Sequence, residues 1–368
     1  MQGFQPAERS FGHGGTVYAA ARYLGVTPGE ILDFSASINP LGPPPGVREA
    51  VMTAFDQIGH YPDPDATELR EALARRHGIM PSEVCPTNGS TELIHLFPRL
   101  ITGGRALIVA PPFSEYALSL VKSGWEVHYF FLEPGNGFSL SLFKLAERLT
   151  DGFDLLILAN PGNPTGTLIP LPEITELLEL CRISGTVPVI DEAFMDFREE
   201  ESAISAVISD GRGLVSRSLT KFYALPGLRL GYAVAAAGVI KRLAGLVPPW
   251  SVGTLAQAAG VAAVADDSYR ERTLGFIARE REFLTTELAA LPGLRPYPSA
   301  ANYLLVELVS GLSATTIRDR LFPGRILIRD CANFPGLSDR FFRVAVRGHE
   351  ENQQLLSALA EVVDVRRT

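Results

Sequence analysis

The chain has 368 residues, 46% hydrophobic and 20% charged, and its 33 lysines and arginines against 41 aspartates and glutamates leave a formal net charge of −8. That is globular composition with length for one large domain or two, and the acidic balance speaks against a nucleic-acid binder, which would present a basic face. Cys85, Cys181 and Cys331 lie far apart without metal spacing and fit a reduced, cytoplasmic setting, while no signal-peptide core and no apolar run of about 18 residues argue against export or a membrane span.

The first 45 or so residues read as loop, with "NPLGPPPG" stopping any helix. "ATELREALARRHG" has helical spacing, with Asp65 as its cap. "RALIVA" reads as a buried strand, "SEYALSLVKSG" as a helix ending at a glycine, "WEVHYFFL" as a strand and "SLFKLAERL" as a helix. "DLLILAN", "LPEITELLELCRIS" and "VPVID" continue the alternation, and "GLVSRSL" and "LRLGYAVA" are two more extended runs. This rhythm predicts an α/β fold with a mostly parallel central sheet covered on both faces. Beyond about Pro248 the spacing predicts a long helix over 266–291, short strands in "NYLLVEL", "RILIRD" and "FFRVAV", and a last helix from about Glu350. The expected division is an N-terminal segment, 1–45, near the active site, a large domain, 46–247, and a smaller α+β C-terminal domain, 248–368.

Ligands of such sheets bind beyond the carboxyl ends of the strands. "CPTNGSTELIHLF" places Gly89, Ser90 and Thr91 at a helix start, where free N–H groups attract a phosphate; a plain helix cap explains them equally. "LILANPGNPTG" sets Asn160 and Asn163 after a strand, in a turn stiffened by prolines, which is also how a structural loop looks. "VPVIDEAFMDF" leaves Asp191 and Glu192 at the end of an apolar strand, where a lone charge is penalised, so each needs a partner, a salt bridge or a cap included. Lys221 follows another strand end, with Ser218 three residues before it and Arg229 eight after it. Desolvation and neighbouring cations turn such an amine into a nucleophile toward carbonyls, although a single lysine there reads as a loop residue. In combination the four sets meet the needs of pyridoxal phosphate: an amine for the aldehyde, an anion for the ring nitrogen, a donor for O3′, and donors with a cation for the phosphate.

These motifs resemble the fold type I pyridoxal-phosphate enzymes of the aspartate aminotransferase superfamily, over nearly the whole chain. The resemblance implies that Lys221 is the Schiff-base lysine, that Asp191 pairs with the pyridine N–H, and that Asn163 donates to O3′. It implies that Ser218, Arg229, Gly89, Ser90 and Thr91 hold the phosphate and that Phe113 stacks on the ring. It implies a homodimer in which Tyr61, in "HYPDPDATELR", reaches the partner's cofactor. Arg343 matches the arginine that grips a substrate carboxylate, and Arg329 one that grips a substrate phosphate. His13 and Gly14, in "GHGG", and Asn39, in "INPLG", are expected in the substrate pocket, His13 reading also as a cap. Asn302 and Tyr303 read as structural, and no metal site is visible.

Within the superfamily, "YPDPDATELREALA" and "RSLTKFYALPGLRLGY" are similar to the histidinol-phosphate aminotransferases. "GHGGTVYAAARYLGV", "ILDFSASINPLGPP" and "RILIRDCANFPGL" look like the L-threonine-O-3-phosphate decarboxylases, which make the aminopropanol phosphate linker of cobalamin. The second resemblance is preferred, so the implied activity is decarboxylation of a phosphorylated amino acid, and the alternative is an aminotransferase. Many of those aminotransferases carry a tyrosine donor three residues after the aspartate; here Phe194 stands there. A regulator with an aminotransferase-like domain is disfavoured by the charge and by the lack of a basic helix-turn-helix segment.

Overall fold

The computed structural model describes residues 14–309 and 311–364. Strand β1, Leu32–Asp33, lies in the N-terminal segment. Seven strands then follow: β2 (Val84–Thr87), β3 (Arg105–Ala110), β4 (Glu126–Phe131), β5 (Leu155–Ala159), β6 (Val187–Asp191), β7 (Leu214–Ser218) and β8 (Gly231–Val234). Five complete the set: β9 (Leu294–Pro296), β10 (Tyr303–Leu308), β11 (Ile326–Leu327), β12 (Arg329–Asp330) and β13 (Phe341–Ala345).

β2 to β8 form one sheet in the order β2-β8-β7-β6-β5-β3-β4. β8 runs antiparallel to both neighbours, and every other pair whose strands touch is parallel. The central strands are covered on both faces, which is why "LLILA", "VPVID" and "LVSRS" are buried almost throughout. β4 lies at the edge and is half exposed, as its charged first residue, Glu126, suits. The fold class read from the sequence is the one observed.

β9, β10, β12 and β13 form an antiparallel sheet in the order β12-β13-β10-β9, with the helices Asp267–Ala290 and Ala314–Leu321 packed on it. β1 pairs in parallel with β11, so the N-terminal segment is tied to this C-terminal part. Helix Ser90–Leu100 starts directly after β2 and packs on β7 and β8, which brings its first residues to the sheet edge where β6 and β7 end.

Three local expectations need correction. Asp65 does not cap helix Thr67–His77: Asp63 does, accepting from the Thr67 N–H at 2.7 Å, because Ala66 turns left-handed and swings Asp65 outward toward Arg70. "NPLGPPPG" does not only interrupt: helix Pro45–Phe55 begins inside it, since proline is pre-shaped for the first helical turn, where no N–H is needed. Helices Val17–Leu24 and Thr254–Val264 were not anticipated, the latter because "LAQAAGVAAV" is apolar all round and shows no amphipathic stripe. It is sandwiched against helices Pro45–Phe55 and Thr67–His77.

Candidate active site

A cavity of about 460 Å³ opens between the two larger sheets. Its described lining carries four cations, Lys221, Arg229, Arg329 and Arg343, against two carboxylates, Asp191 and Glu115. A chain that is acidic overall has therefore gathered local positive charge, which suits an anionic ligand.

Strand alternation separates the two acids at the end of β6. Asp191 lines the cavity. Tyr116 donates to its Oδ2 at 2.5 Å and the Ala193 N–H to its Oδ1 at 3.0 Å. Burial raises the pKa of Asp191, opposed by these two bonds and by the Lys221 charge. Glu192 turns the other way, beneath the sheet, where Arg217 donates to it at 2.8 Å and Ser202 and the Ala203 N–H add bonds of 2.7 and 2.6 Å. Arg217 is fully buried and also meets Glu199. Of the readings open for Glu192, the salt bridge is the one observed, and burial pushes its carboxyl up to about 7 against the pull of Arg217.

Lys221 lines the cavity just beyond β7, with its Nζ 5.9 Å from the centre of the Phe194 ring. Burial first, then the Arg343 and Arg229 charges, lower its amine to about 8, with Asp191 opposing.

Ser90, Thr91, Ser218 and Arg229 line the same cavity. Gly89 makes their approach possible. Its φ is +76°, and a Cβ there would sit 2.8 Å from Arg229 Nη2. Only a residue without a side chain lets that guanidinium lie over the helix start. Ser218 Oγ is 2.8 Å from Thr220 Oγ1.

The asparagine loop after β5 divides its labour. Asn160 is buried and clamps the loop, exchanging bonds of 2.8 and 2.9 Å with the backbone of Ile169. Asn163 lines the cavity, and its Oδ1 accepts from Arg343. The loop is fastened to the second sheet by the Tyr303 hydroxyl, which donates to the Gly162 carbonyl, and by the Ala300 N–H, which donates to Gly166 at 2.9 Å.

Arg329 and Arg343 are directly paired across β12 and β13, so both project from one face. Arg343 donates to the Ser35 carbonyl at 3.0 Å and lies 5.0 Å over the Tyr303 ring, while its Nε has no partner among the described residues. Arg329 donates to Asn333 at 2.8 Å and lies 4.9 Å over Phe334. Both arginines are buried.

Of the remaining expected site residues, Gly14 and Phe113 line the cavity, and His13 lies outside the described residues. Tyr61 is 79% exposed, stacked on Trp250 at 4.5 Å, and is not part of its own chain's cavity lining. Asn39 is a correction. Its carboxamide is 2% exposed and spent on Phe222 O, Tyr269 and Thr273, at 2.8, 2.8 and 3.0 Å, so it staples the N-terminal segment to helix Asp267–Ala290 instead of entering the pocket. Ser35, Ala36 and Ser37, just before it, line the cavity in its place. Tyr116 was not anticipated either; it lies in the first turn of helix Ser114–Lys122, whose N-cap is Phe113, and both residues line the cavity.

The family described as aminotransferase class I and II matches residues 29–359. Threonine-phosphate decarboxylase from Salmonella typhimurium strain LT2 is 40% identical over 95% of this chain and 96% of that protein. An adenosylcobalamin biosynthesis bifunctional protein from Leptospira interrogans is 32% identical over 95% of this chain, which spans 41% of that longer protein. Among solved structures, histidinol-phosphate aminotransferase from Sinorhizobium meliloti, in complex with pyridoxal-5′-phosphate, superposes with a TM-score of 0.86 at 25% identity, covering 100% of this chain and 99% of that one. The chain belongs to the aminotransferase class I and II family.

Proposed function

We propose that the chain decarboxylates L-threonine O-3-phosphate with pyridoxal phosphate held at Lys221, releasing carbon dioxide and (R)-1-amino-2-propanol phosphate for the cobalamin linker. The observation that carries this reading is one cavity joining Lys221, Asp191, Asn163 and a helix start to a pair of buried arginines, in a chain 40% identical to a threonine-phosphate decarboxylase. The residues fit the cofactor. The space above Gly89 is one that a Cβ would fill, next to the Arg229 guanidinium. Ser37 Oγ and Arg343 Nε are buried without partners among the described residues, beside a cavity of a size usual for small-molecule sites.

When bound, the cofactor supplies an electron sink for the pair left at Cα when a bond there breaks. Lys221 would hold the cofactor through its amine and, when free, would be the group in this lining to return a proton to Cα. Asp191 keeps the ring nitrogen protonated. Asn163, its oxygen held by Arg343, offers its amide nitrogen to O3′. Gly89, Ser90, Thr91, Ser218 and Arg229 hold the phosphate, and Phe113 covers the ring. Gly14 lines the substrate side with Arg329 and Arg343, and the sequence resemblance assigns substrate binding to His13 as well. What the two arginines grip decides which bond at Cα is presented for cleavage, a matter of positioning. Planar guanidinium forks suit both phosphate and carboxylate. We assign cofactor binding to a large domain, 46–247, with 1–45 as a segment packing near the active site and 248–368 as a small C-terminal domain. The working form is a cytoplasmic homodimer in which Tyr61 completes the partner's site.

Arg329→Ala is expected to raise KM for threonine phosphate about 10- to 100-fold, the worth of lost charge-assisted bonds, with KM for free threonine within about threefold of the parent. Equal losses for both would show that Arg329 does not read the phosphate.

A second reading, an aminotransferase for histidinol phosphate or a related amine, is favoured by the full-length superposition on such an enzyme. Product analysis separates the two. Carbon dioxide in step with aminopropanol phosphate, with the cofactor returned unchanged, supports decarboxylation. A keto or aldehyde product with pyridoxamine phosphate overturns it.

A further inference from the structure

We infer that Tyr116 is a positioning residue for this reaction: its hydroxyl holds the Asp191 carboxylate in the orientation and charge state that the ring nitrogen of the cofactor requires. The inference rests on the cofactor reading above and names a residue that reading does not use.

Tyr116 is 1% exposed, on helix Ser114–Lys122, and its hydroxyl lies 2.5 Å from Asp191 Oδ2. A buried phenol needs a partner, and among the described residues Asp191 is the side chain to which it donates. The geometry fixes who donates. Burial and the adjacent Asp191 charge push the phenol well above its usual range, so it stays protonated at any working pH. Asp191 therefore always receives this bond. Its other donor is the Ala193 N–H, and Lys221 is the cation facing it; Tyr303 faces the Tyr116 hydroxyl from β10.

Two consequences follow from a donor on each oxygen. The carboxylate cannot swing about its Cβ–Cγ bond without breaking a bond at each end. Its anion is also stabilised against desolvation, because hydrogen bonds to the charged form favour that form. Phe113, at the start of the same helix, packs edge-to-face on Tyr116 at 5.8 Å. The residue assigned to cover the cofactor ring and the residue that orients its counter-ion are thus in direct ring contact.

The test is Tyr116→Phe in the cofactor-loaded enzyme, read by kcat, by KM and by the pH titration of the bound cofactor's visible absorbance. With the donor gone, the protonated form of Asp191 gains. The acidic limb of kcat and the spectral midpoint should then move to higher pH by about one pH unit, and kcat should fall about 10- to 100-fold with KM within about threefold. In an Asp191→Asn background the same change should cost less than about twofold, because the group through which it acts is already lost. An unchanged titration and kcat, or a loss that multiplies in the Asp191→Asn background, would reduce Tyr116 to packing. If Tyr116→Phe does not fold, 3-fluorotyrosine at 116 keeps the shape and donates more strongly. It should move the midpoint to lower pH, and no movement overturns the proposal. A parent enzyme that takes up no pyridoxal phosphate, or an Asp191→Asn variant as active as the parent, would instead bring down the cofactor reading, and this proposal with it.

Discussion

Lys221→Ala should lower kcat by at least about 10,000-fold and abolish the visible absorbance of the cofactor-loaded enzyme. The size follows from two losses at one atom. Proton transfer by a positioned group contributes about 100- to 10,000-fold on its own, and the nucleophile that captures the aldehyde goes with it. The environment of the amine supports both roles. Burial and the charges of Arg343 and Arg229 disfavour the ammonium and lower it from 10.5 to about 8. At pH 7 about one amine in ten is then neutral, against roughly one in 3000 at the ordinary value. Because lowering the pKa enlarges the neutral fraction, cofactor uptake by the unloaded protein should speed up with rising pH and level off above about 8. Stopped-flow absorbance across pH 6 to 10 measures this in the parent. A Lys221→Ala protein that still turns over, or that still gives the band, is incompatible with the assignment.

The physics of the large sheet made it readable in advance. Its central strands are sealed on both faces, so "RALIVA", "LLILA" and "VPVID" announce themselves as mainly apolar runs, and Asn160 directly after β5 and Asp191 at the end of β6 are polar groups that cannot stay buried alone. The residues that the cofactor reading calls upon are local to those ends, which is why Lys221, Asp191, Asn163 and Arg229 could be named from spacing and resemblance, and why they meet in one cavity. What could not be read is what depends on contacts between distant segments. Asn39 sits in the expected loop, but Tyr269 and Thr273, some 230 residues away, capture its carboxamide and leave Ser37 at the cavity instead. Helix Thr254–Val264 has no polar face to mark it, being apolar on its half-exposed side as well as on the side packed against two other helices. Arg217 looked like one more polar residue in "VSRSL", yet it is the buried counter-charge of Glu192, and no local signal in β7 points to a partner at the end of β6.

Asp191→Asn separates function from fold most cleanly, because its two effects have opposite signs. The carboxylate is buried, and burial raises its pKa in the folded chain. A carboxyl raised above its unfolded value costs stability once pH exceeds that unfolded value, near 4, and the cost persists through neutrality. Removing the charge while keeping the shape should leave the melting temperature of the cofactor-free protein unchanged or higher at pH 7, and nearly unchanged at pH 4. Catalysis should move the other way. On the cofactor reading the buried anion is the counter-charge for the protonated ring, and breaking a buried pair costs about 3–5 kcal/mol, equivalent to roughly 200- to 5000-fold in rate at 1.36 kcal/mol per factor of ten. The loss should fall on kcat more than on KM, since the positive charge grows in importance as electrons reach the ring. The acid-side fall in activity set by Asp191 should also vanish, because an amide has no proton to gain. Calorimetry and pH–rate profiles on the same preparation decide the matter. A variant that loses stability and activity together would mean that Asp191 is a structural salt-bridge residue, and a variant with parental kcat would mean that no cationic ring sits above it.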